Sequence, residues 1–438
     1  MLKNFLRPVN KLPPEIFSMI FKHRCHDDDL VAATHVCRYW RSSLISNPTL
    51  WTRLQFPGDT GRIHTYFERS KPVPINVYMD LWVTSTNAVS ELVAPHVGRV
   101  GSLTIHGTVI HVRMILSHLF CGPAPSLQHL EILGTTGDDL EPTDASWLPA
   151  DFLRQHGPAL RSLSFISVLP TFESDLPLPN LTRFKLSLPY ARPFRVNALF
   201  KVLSNLPQLR EASIDVPTTV IEDIPSGVVS LESLETLKYR GGSAVGVLPW
   251  MRLPRLRMLK VVSMAGALTD LLPSESHRLL SKTTRMVYSN YYTRSSRGAD
   301  FRGSGITIQV SACERTDPPD WFFDTPPTSF GQIKDLTFSD FYNPAPSDAT
   351  ELPIAAFESL EVLQFRKFAM RFVEAVLRTL CPQDGKGIPC RSLREIRCDS
   401  QEALNSFTWF VEERERVGNR IQLVYFSDKM SPEEYHAL

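Results

Sequence analysis

The chain has 438 residues, of which 43% are hydrophobic and 21% are charged, and its formal net charge is +1. This composition is that of an ordinary globular protein and gives no whole-chain basis for binding nucleic acid or an anionic membrane. The seven cysteines are scattered and odd in number, which favours a reducing compartment. No signal-peptide core and no apolar run near the ~20 residues of a membrane span is present. We therefore expect a cytoplasmic or nuclear protein that contacts neither nucleic acid nor membrane.

Residues 1–54 predict a small all-helical module. Pro13 and Pro14 suit the start of a first helix, whose apolar stripe consists of Ile16, Phe17, Ile20 and Phe21. A second helix is predicted from Leu30 to Leu44, after Asp27-Asp28-Asp29, because its apolar residues share one face: Leu30, Ala33, Cys37, Trp40 and Leu44. Asn47-Pro48 ends this helix, and a short turn after it folds Trp51 back onto the module.

This module resembles an F-box in three pieces: Leu12-Pro13 with Glu15-Ile16, then Val36-Cys37-Arg38-x-Trp40, then Asn47-Pro48-Thr49-Leu50-Trp51. F-box modules are three-helix units that bind a Skp-type adaptor and, through it, a cullin–RING ubiquitin ligase. The resemblance assigns eight residues to adaptor-binding or module-core positions: Leu12, Pro13, Ile16, Ile20, Val36, Cys37, Trp40 and Trp51. The alternative is that they form only the private core of a helical subdomain.

A connecting segment follows at residues 55–95, and we expect it to pack on the parts before and after it. Residues 63–69 predict a helix, and residues 74–79 predict a strand.

From residue 96 to 438 a short pattern recurs, in which an apolar residue is followed by two variable positions, an apolar one, a variable one and another apolar one. Its central positions are Leu103, Leu130, Leu163, Phe184, Ala212, Leu237, Leu259, Leu336, Leu363 and Ile396. Most intervals fall near the ~20–29 residues of a leucine-rich repeat. One such strand cannot bury itself, but stacked neighbours form a continuous core.

This region resembles the leucine-rich repeats that often follow an F-box, although the asparagine or cysteine expected after each strand is mostly missing. We therefore expect an irregular α/β solenoid with a parallel sheet, against the alternative of an ordinary α/β domain. The gap between Met264 and Gln332 should hold unrecognised repeats, including a strand at 306–310, and an exposed polar loop at 288–305. A C-terminal helix at 410–416 and a strand at 421–425 should cap the core.

Strand residues between the buried positions should form one open surface that includes Gln364, Glu395 and Arg397. Its basic middle suits an acidic or phosphorylated protein segment, with a candidate substrate surface at Arg183, Lys185, Lys238 and Lys260. For each single residue, the alternative is a merely solvated strand position.

Catalytic and cofactor motifs are not apparent. His23, Cys25, His26, His35 and Cys37 lack paired zinc-ligand spacing, and no phosphate-binding loop or dinucleotide fingerprint occurs. We expect no catalytic residue, no metal and no cofactor. The leading hypothesis is a substrate-recognition subunit of a Skp–cullin–F-box type ligase for an unknown target. A repeat-based interaction scaffold outside any ligase is the alternative, and an enzyme with a site assembled across the repeats is a third reading.

Overall fold

The computed structural model describes residues 8–24, 27–119, 124–135, 150–167, 178–188, 196–216, 227–241, 247–263, 282–291, 296–303, 306–312, 331–341, 357–381, 388–399 and 404–426. The chain divides into two compact units, Met1–Pro189 and Tyr190–Leu438. Within these described ranges, every helix is too short or too polar to cross a lipid bilayer.

The first unit begins with helices α1 (Pro14–Arg24), α2 (Asp27–Ala33) and α3 (Arg38–Ile45), followed by a 3-10 turn at Pro48–Trp51. The prediction of one helix from Leu30 to Leu44 is wrong. The Thr34 hydroxyl donates to the Val31 carbonyl at 2.7 Å, and Cys37 is extended with a φ of −161°. Side-chain bonding to the local backbone competes with helix continuation, so the chain turns between α2 and α3.

Six parallel strands form the sheet of the first unit and pair in chain order. The strand predicted at 74–79 is confirmed as Ile75–Asp80, and the helix predicted at 63–69 is confirmed within Thr60–Ser70. The strands are β1 (Arg53–Phe56), β2 (Ile75–Asp80), β3 (Val100–Thr108), β4 (His129–Thr135), β5 (Ser162–Ile166) and β6 (Arg183–Ser187). The connecting helices are α4 (Thr60–Ser70), α5 (Thr86–Val93), α6 (Val109–Leu119) and α7 (Ala150–His156).

Alternate side chains of these strands build the core of the first unit, because residues two apart on a strand face the same side. One buried row crosses all six strands, and each of its members is at most 3% exposed: Leu54, Val77, Leu103, Leu130, Leu163 and Phe184. The residues that alternate with this row along each strand form the opposite, open face of the sheet.

The second unit contains helices α8 (Val196–Ser204), α9 (Met370–Leu380) and α10 (Leu404–Arg416). Its main sheet has the order β7-β9-β11-β14-β13-β12-β15-β16-β17-β18. These strands are β7 (Glu211–Asp215), β9 (Thr236–Arg240), β11 (Met258–Ser263), β12 (Thr283–Tyr291), β13 (Ser296–Gly303), β14 (Ile306–Ala312), β15 (Asp335–Phe341), β16 (Val362–Phe368), β17 (Glu395–Cys398) and β18 (Leu423–Phe426). Two short strands, β8 (Val229–Ser230) and β10 (Met251–Arg252), pair with each other.

The prediction of an exposed loop at 288–305 is wrong, because most of this segment belongs to β12 and β13. Strand β13 is antiparallel to β12 on one side and to β14 on the other, so its backbone is paired along both edges. Arg297 and Arg302 lie on this strand, while Arg294 lies outside the described residues. A polar sequence tolerates a strand position when its backbone is bonded on both sides.

The predicted strand at 306–310 is confirmed as part of β14, and the predicted C-terminal helix and strand are confirmed within α10 and β18. All ten central positions of the recurring pattern lie on strands and are at most 2% exposed. Helices at the N-terminus followed by an α/β region with a parallel sheet are therefore confirmed, and only β13 departs from parallel pairing among the described strands of the main sheets.

Candidate docking surfaces

The inner face of helix α1 holds the N-terminal helices together through aromatic contacts. Phe17 is 1% exposed, and its ring centre lies 4.9 Å from that of Trp40 in an edge-on arrangement. Phe21 approaches the same indole at 5.8 Å. Edge-on aromatic pairs add about 0.5–1.5 kcal/mol to the burial itself. The sequence grouped Phe17 and Phe21 with Ile16 and Ile20 in one stripe, but the helix turns the two isoleucines to the outside.

The outer face of α1 is an exposed apolar patch formed by Ile16, Met19 and Ile20. These side chains are 46%, 54% and 44% exposed, and their spacing of three and four residues places them on one side of the helix. Ile16 and Ile20 are residues that the F-box resemblance assigns to the adaptor or the core. Met19 was missed, although its position between them on the same helical face was a usable signal. We call these three residues the α1 outer face.

Four other residues assigned by the resemblance lie just before two helices: Leu12 and Pro13 precede α1, and Val36 and Cys37 precede α3. Leu12 is half-buried and its carbonyl accepts a 2.7 Å hydrogen bond from the Tyr39 hydroxyl, while Pro13 is exposed. Val36 is 59% exposed, and the neighbouring Cys37 is half-buried at the N-terminus of α3. Pro13 and Val36 are therefore accessible, and Leu12 positions the start of α1 against the module.

Trp51 occupies a core position rather than an accessible one. It is 0% exposed, and its indole N–H donates to the Leu44 carbonyl at 2.9 Å. The ring of Tyr66 meets it edge-on at 5.0 Å, and the Arg69 guanidinium lies 4.3 Å from the ring centre. Trp51 therefore connects the N-terminal helices to α4, and in this structure a partner cannot reach it.

The four cations of the candidate substrate surface are all exposed strand residues. In the first unit, Arg183 and Lys185 lie on β6 opposite Ser162 and Ser164 of β5. In the second unit, Lys238 of β9 and Lys260 of β11 are direct cross-strand neighbours.

Like charges directly opposite each other on neighbouring strands repel. The pair of Lys238 and Lys260 would therefore be stabilised by an anion lying between the two ammonium groups. A nearby guanidinium, that of Arg240, is already paired with Asp215 at 3.6 Å.

The prediction that Gln364 belongs to an open surface is wrong, because Gln364 is only 5% exposed. Its side-chain oxygen lies 3.5 Å from the Thr337 hydroxyl and 3.3 Å from the Arg366 guanidinium, whose residue is 7% exposed. Burial raises the pKa of the neighbouring Asp335. The Arg285 guanidinium, 3.5 Å from the Asp335 carboxylate, has the opposite effect and limits this rise in pKa. This part of the face is thus a buried polar network, since buried polar groups need partners.

The zinc alternative gains no support from the described residues, among which no group of three or more metal-ligating side chains comes together. Cys25 and His26 lie outside those residues. His35 is exposed, and Cys37 is a free thiol.

Comparison with known proteins gives one positive result. A search of curated proteins returned no match to the chain. The F-box-like family model matches residues 9–57, which span helices α1 to α3, the 3-10 turn with Trp51 and strand β1. The N-terminal helices of this chain therefore form an F-box-like domain.

Proposed function

We propose that this chain is the substrate-recognition subunit of a Skp–cullin–F-box type ubiquitin ligase. F-box domains typically bind Skp-type adaptors, which link them to the cullin–RING core. The observation that supports this function best is the α1 outer face, where three large apolar side chains are about half exposed within the F-box-like domain. Contiguous exposed apolar side chains mark interaction sites, and burying them against an adaptor would contribute about 25 cal/mol per Å².

The α/β region then holds the target. We infer an irregular leucine-rich-repeat-like solenoid. Its exposed strand cations, Arg183 and Lys185 in the first unit and Lys238 and Lys260 in the second, are candidate contacts for an acidic or phosphorylated segment of that target. The chain itself supplies no catalytic group and no cofactor. Its contribution is proximity, since a target held beside the ubiquitin-charged enzyme reacts at a high effective concentration. We place this activity in the cytoplasm or the nucleus.

Co-purification of the full chain with a Skp-type adaptor tests the proposal. The wild type should retain the adaptor, and the double variant Leu12→Ala/Pro13→Ala should lose it, because that change alters the start of α1. Ile110→Glu is a matched surface control, since Ile110 is 52% exposed on α6 and lies outside the domain. Retention by the control but loss by the double variant supports the ligase. Failure of the wild type to retain the adaptor would overturn the proposal in favour of an interaction scaffold outside any ligase.

A further inference from the structure

A cleft of about 890 Å³ opens on the sheet of the first unit, between strands β1–β4 and the N-terminal ends of helices α2 and α4. Its floor is part of the open face of the sheet. Its wall consists of Asp28 and the segment from Pro57 to Arg62. The volume is within the range of about 300–1,000 Å³ that is typical of ligand sites, but most such sites are lined by apolar groups and this one is polar.

The floor is built from side chains in register across the strands. One row runs through Arg53, Asn76, Ser102 and His129, which are direct neighbours on β1, β2, β3 and β4. Among the described residues, none of these four side chains has a hydrogen bond or an ion pair. A second polar row beside it carries Tyr78 and Thr104. The floor therefore offers donors and acceptors that are free to meet a ligand.

The charged side chains of the wall are already engaged with each other or with the backbone. The Arg62 guanidinium is 2.6 Å from Asp28, and the Asp59 carboxylate accepts a 2.8 Å hydrogen bond from the backbone N–H of Arg62 as the N-cap of α4. A Cβ atom at Gly58 would lie 2.7 Å from the Gln55 carbonyl oxygen, so the bend that starts the wall requires glycine. Arg53 is then the guanidinium of the cleft that is free to pair with an anion.

The Arg53 row does not stop at the cleft. From His129 it continues to Ser162 on β5 and ends at Arg183 on β6, whose guanidinium also has no ion pair among the described residues. Neighbouring strands are about 4.8 Å apart, so five intervals separate the two arginines by about 24 Å. An extended peptide advances about 3.3–3.4 Å per residue and points successive side chains to opposite faces, so side chains that both face the sheet lie an even number of residues apart. A separation of eight residues spans about 27 Å and bridges the two arginines.

We propose that this row binds an extended peptide segment of the target, which crosses the strands and places two carboxylate side chains, eight residues apart and on the same face of the peptide, on Arg53 and Arg183. The polar side chains between the arginines hydrogen-bond the peptide backbone, and the cleft wall covers the end at Arg53. This inference deepens the proposed function, on whose assignment of target binding to the open face it rests. Charge-assisted pairs at both ends favour this peptide over a small anion, which cannot span the distance.

Fluorescence anisotropy with the full chain tests the spacing directly. The probe is a labelled peptide of serine and asparagine that carries two glutamates eight positions apart, and the comparison peptides carry the same glutamates four apart or a single glutamate. The eight-residue spacing should bind about tenfold more tightly than either comparison peptide, since a hydrogen-bonded charge pair contributes about 1.5–3 kcal/mol. Arg53→Ala and Arg183→Ala should each abolish this preference. Arg113→Ala, an exposed arginine on α6, is the matched control and should keep it.

Three results would overturn the inference: no binding of any of the peptides, equal affinity for all spacings, or equal effects of Arg113→Ala and Arg53→Ala. Adaptor retention by the same protein preparation separates this test from that of the proposed function. Peptide selectivity without adaptor retention would leave the peptide site in place and refute the ligase. Adaptor retention without peptide selectivity would support the ligase and refute the peptide site.

Discussion

Trp51 anchors the F-box-like domain to helix α4, and its replacement by alanine tests that role. The side chain is fully buried, bonded to the Leu44 carbonyl, edge-on to Tyr66 and beneath the Arg69 guanidinium. Removing a buried tryptophan costs about 3–5 kcal/mol, and the loss of the aromatic and cation–π contacts falls within that total. We therefore expect the local free energy of opening to fall by about 3–5 kcal/mol.

Hydrogen exchange of the full chain, resolved by mass spectrometry, measures this loss where it occurs. Peptides from residues 38–51 and 60–70 should lose protection together, because the indole contacts both segments. Trp51→Phe keeps most of the apolar contact but removes the indole hydrogen bond to the Leu44 carbonyl, which still accepts from the Asn47 N–H, so the loss should be about 1–2 kcal/mol. Trp40→Ala is the comparison in the same domain, and its cost should be smaller because Trp40 is only half-buried.

The reasoning is refuted if α4 keeps its full protection in Trp51→Ala while α3 loses it. That pattern would mean that the domain and α4 are stabilised independently, despite the contacts of the indole with Tyr66 and Arg69.

Three further predictions concern buried groups. Burial lowers the pKa of His156, so the free energy of unfolding should fall as the pH drops below about 6.5, and His156→Gln should flatten that dependence in denaturant titrations. Burial raises the pKa of the Cys390 thiol to about 12, so iodoacetamide should label the half-buried Cys37 at least tenfold faster in the native protein; equal rates would contradict this. The Arg414 guanidinium is fully buried and donates to three backbone carbonyls and to the Asn419 side chain. Arg414→Met should therefore lower the free energy of unfolding, measured by thermal denaturation, by about 3–5 kcal/mol. A loss below about 0.5 kcal/mol, as for an exposed surface residue, would refute this role.

Much of the strand framework was predictable from the sequence, because burial dictates it locally. Residues such as Leu130 and Leu363 are the buried centres of a two-residue alternation, and that pattern is visible without knowing any neighbour. The N-terminal module was predictable for a different reason, because its three short sequence motifs occur in the order found in F-box modules.

What could not be predicted depends on partners distant in sequence. The pairing of β13 between β12 and β14 satisfies a backbone whose side chains gave no strand signal. Gln364 and Arg414 are polar in the sequence but buried in the structure, because groups from other segments bond them. The finding that Phe17 is buried while its neighbour Ile16 is exposed likewise required knowing where Trp40 lies.

The most direct test of the central claim is the dissociation constant of a purified Skp-type adaptor for the full chain, measured by calorimetry. We compare the wild type with Ile16→Glu/Ile20→Glu, which places two carboxylates on the α1 outer face, and with the control Ile110→Glu. Burying unpaired carboxylates is costly, so the double variant should bind about a hundredfold more weakly or not at all, while the control binds like the wild type. Equal affinities for the double variant and the wild type would contradict the assignment of this face to the adaptor.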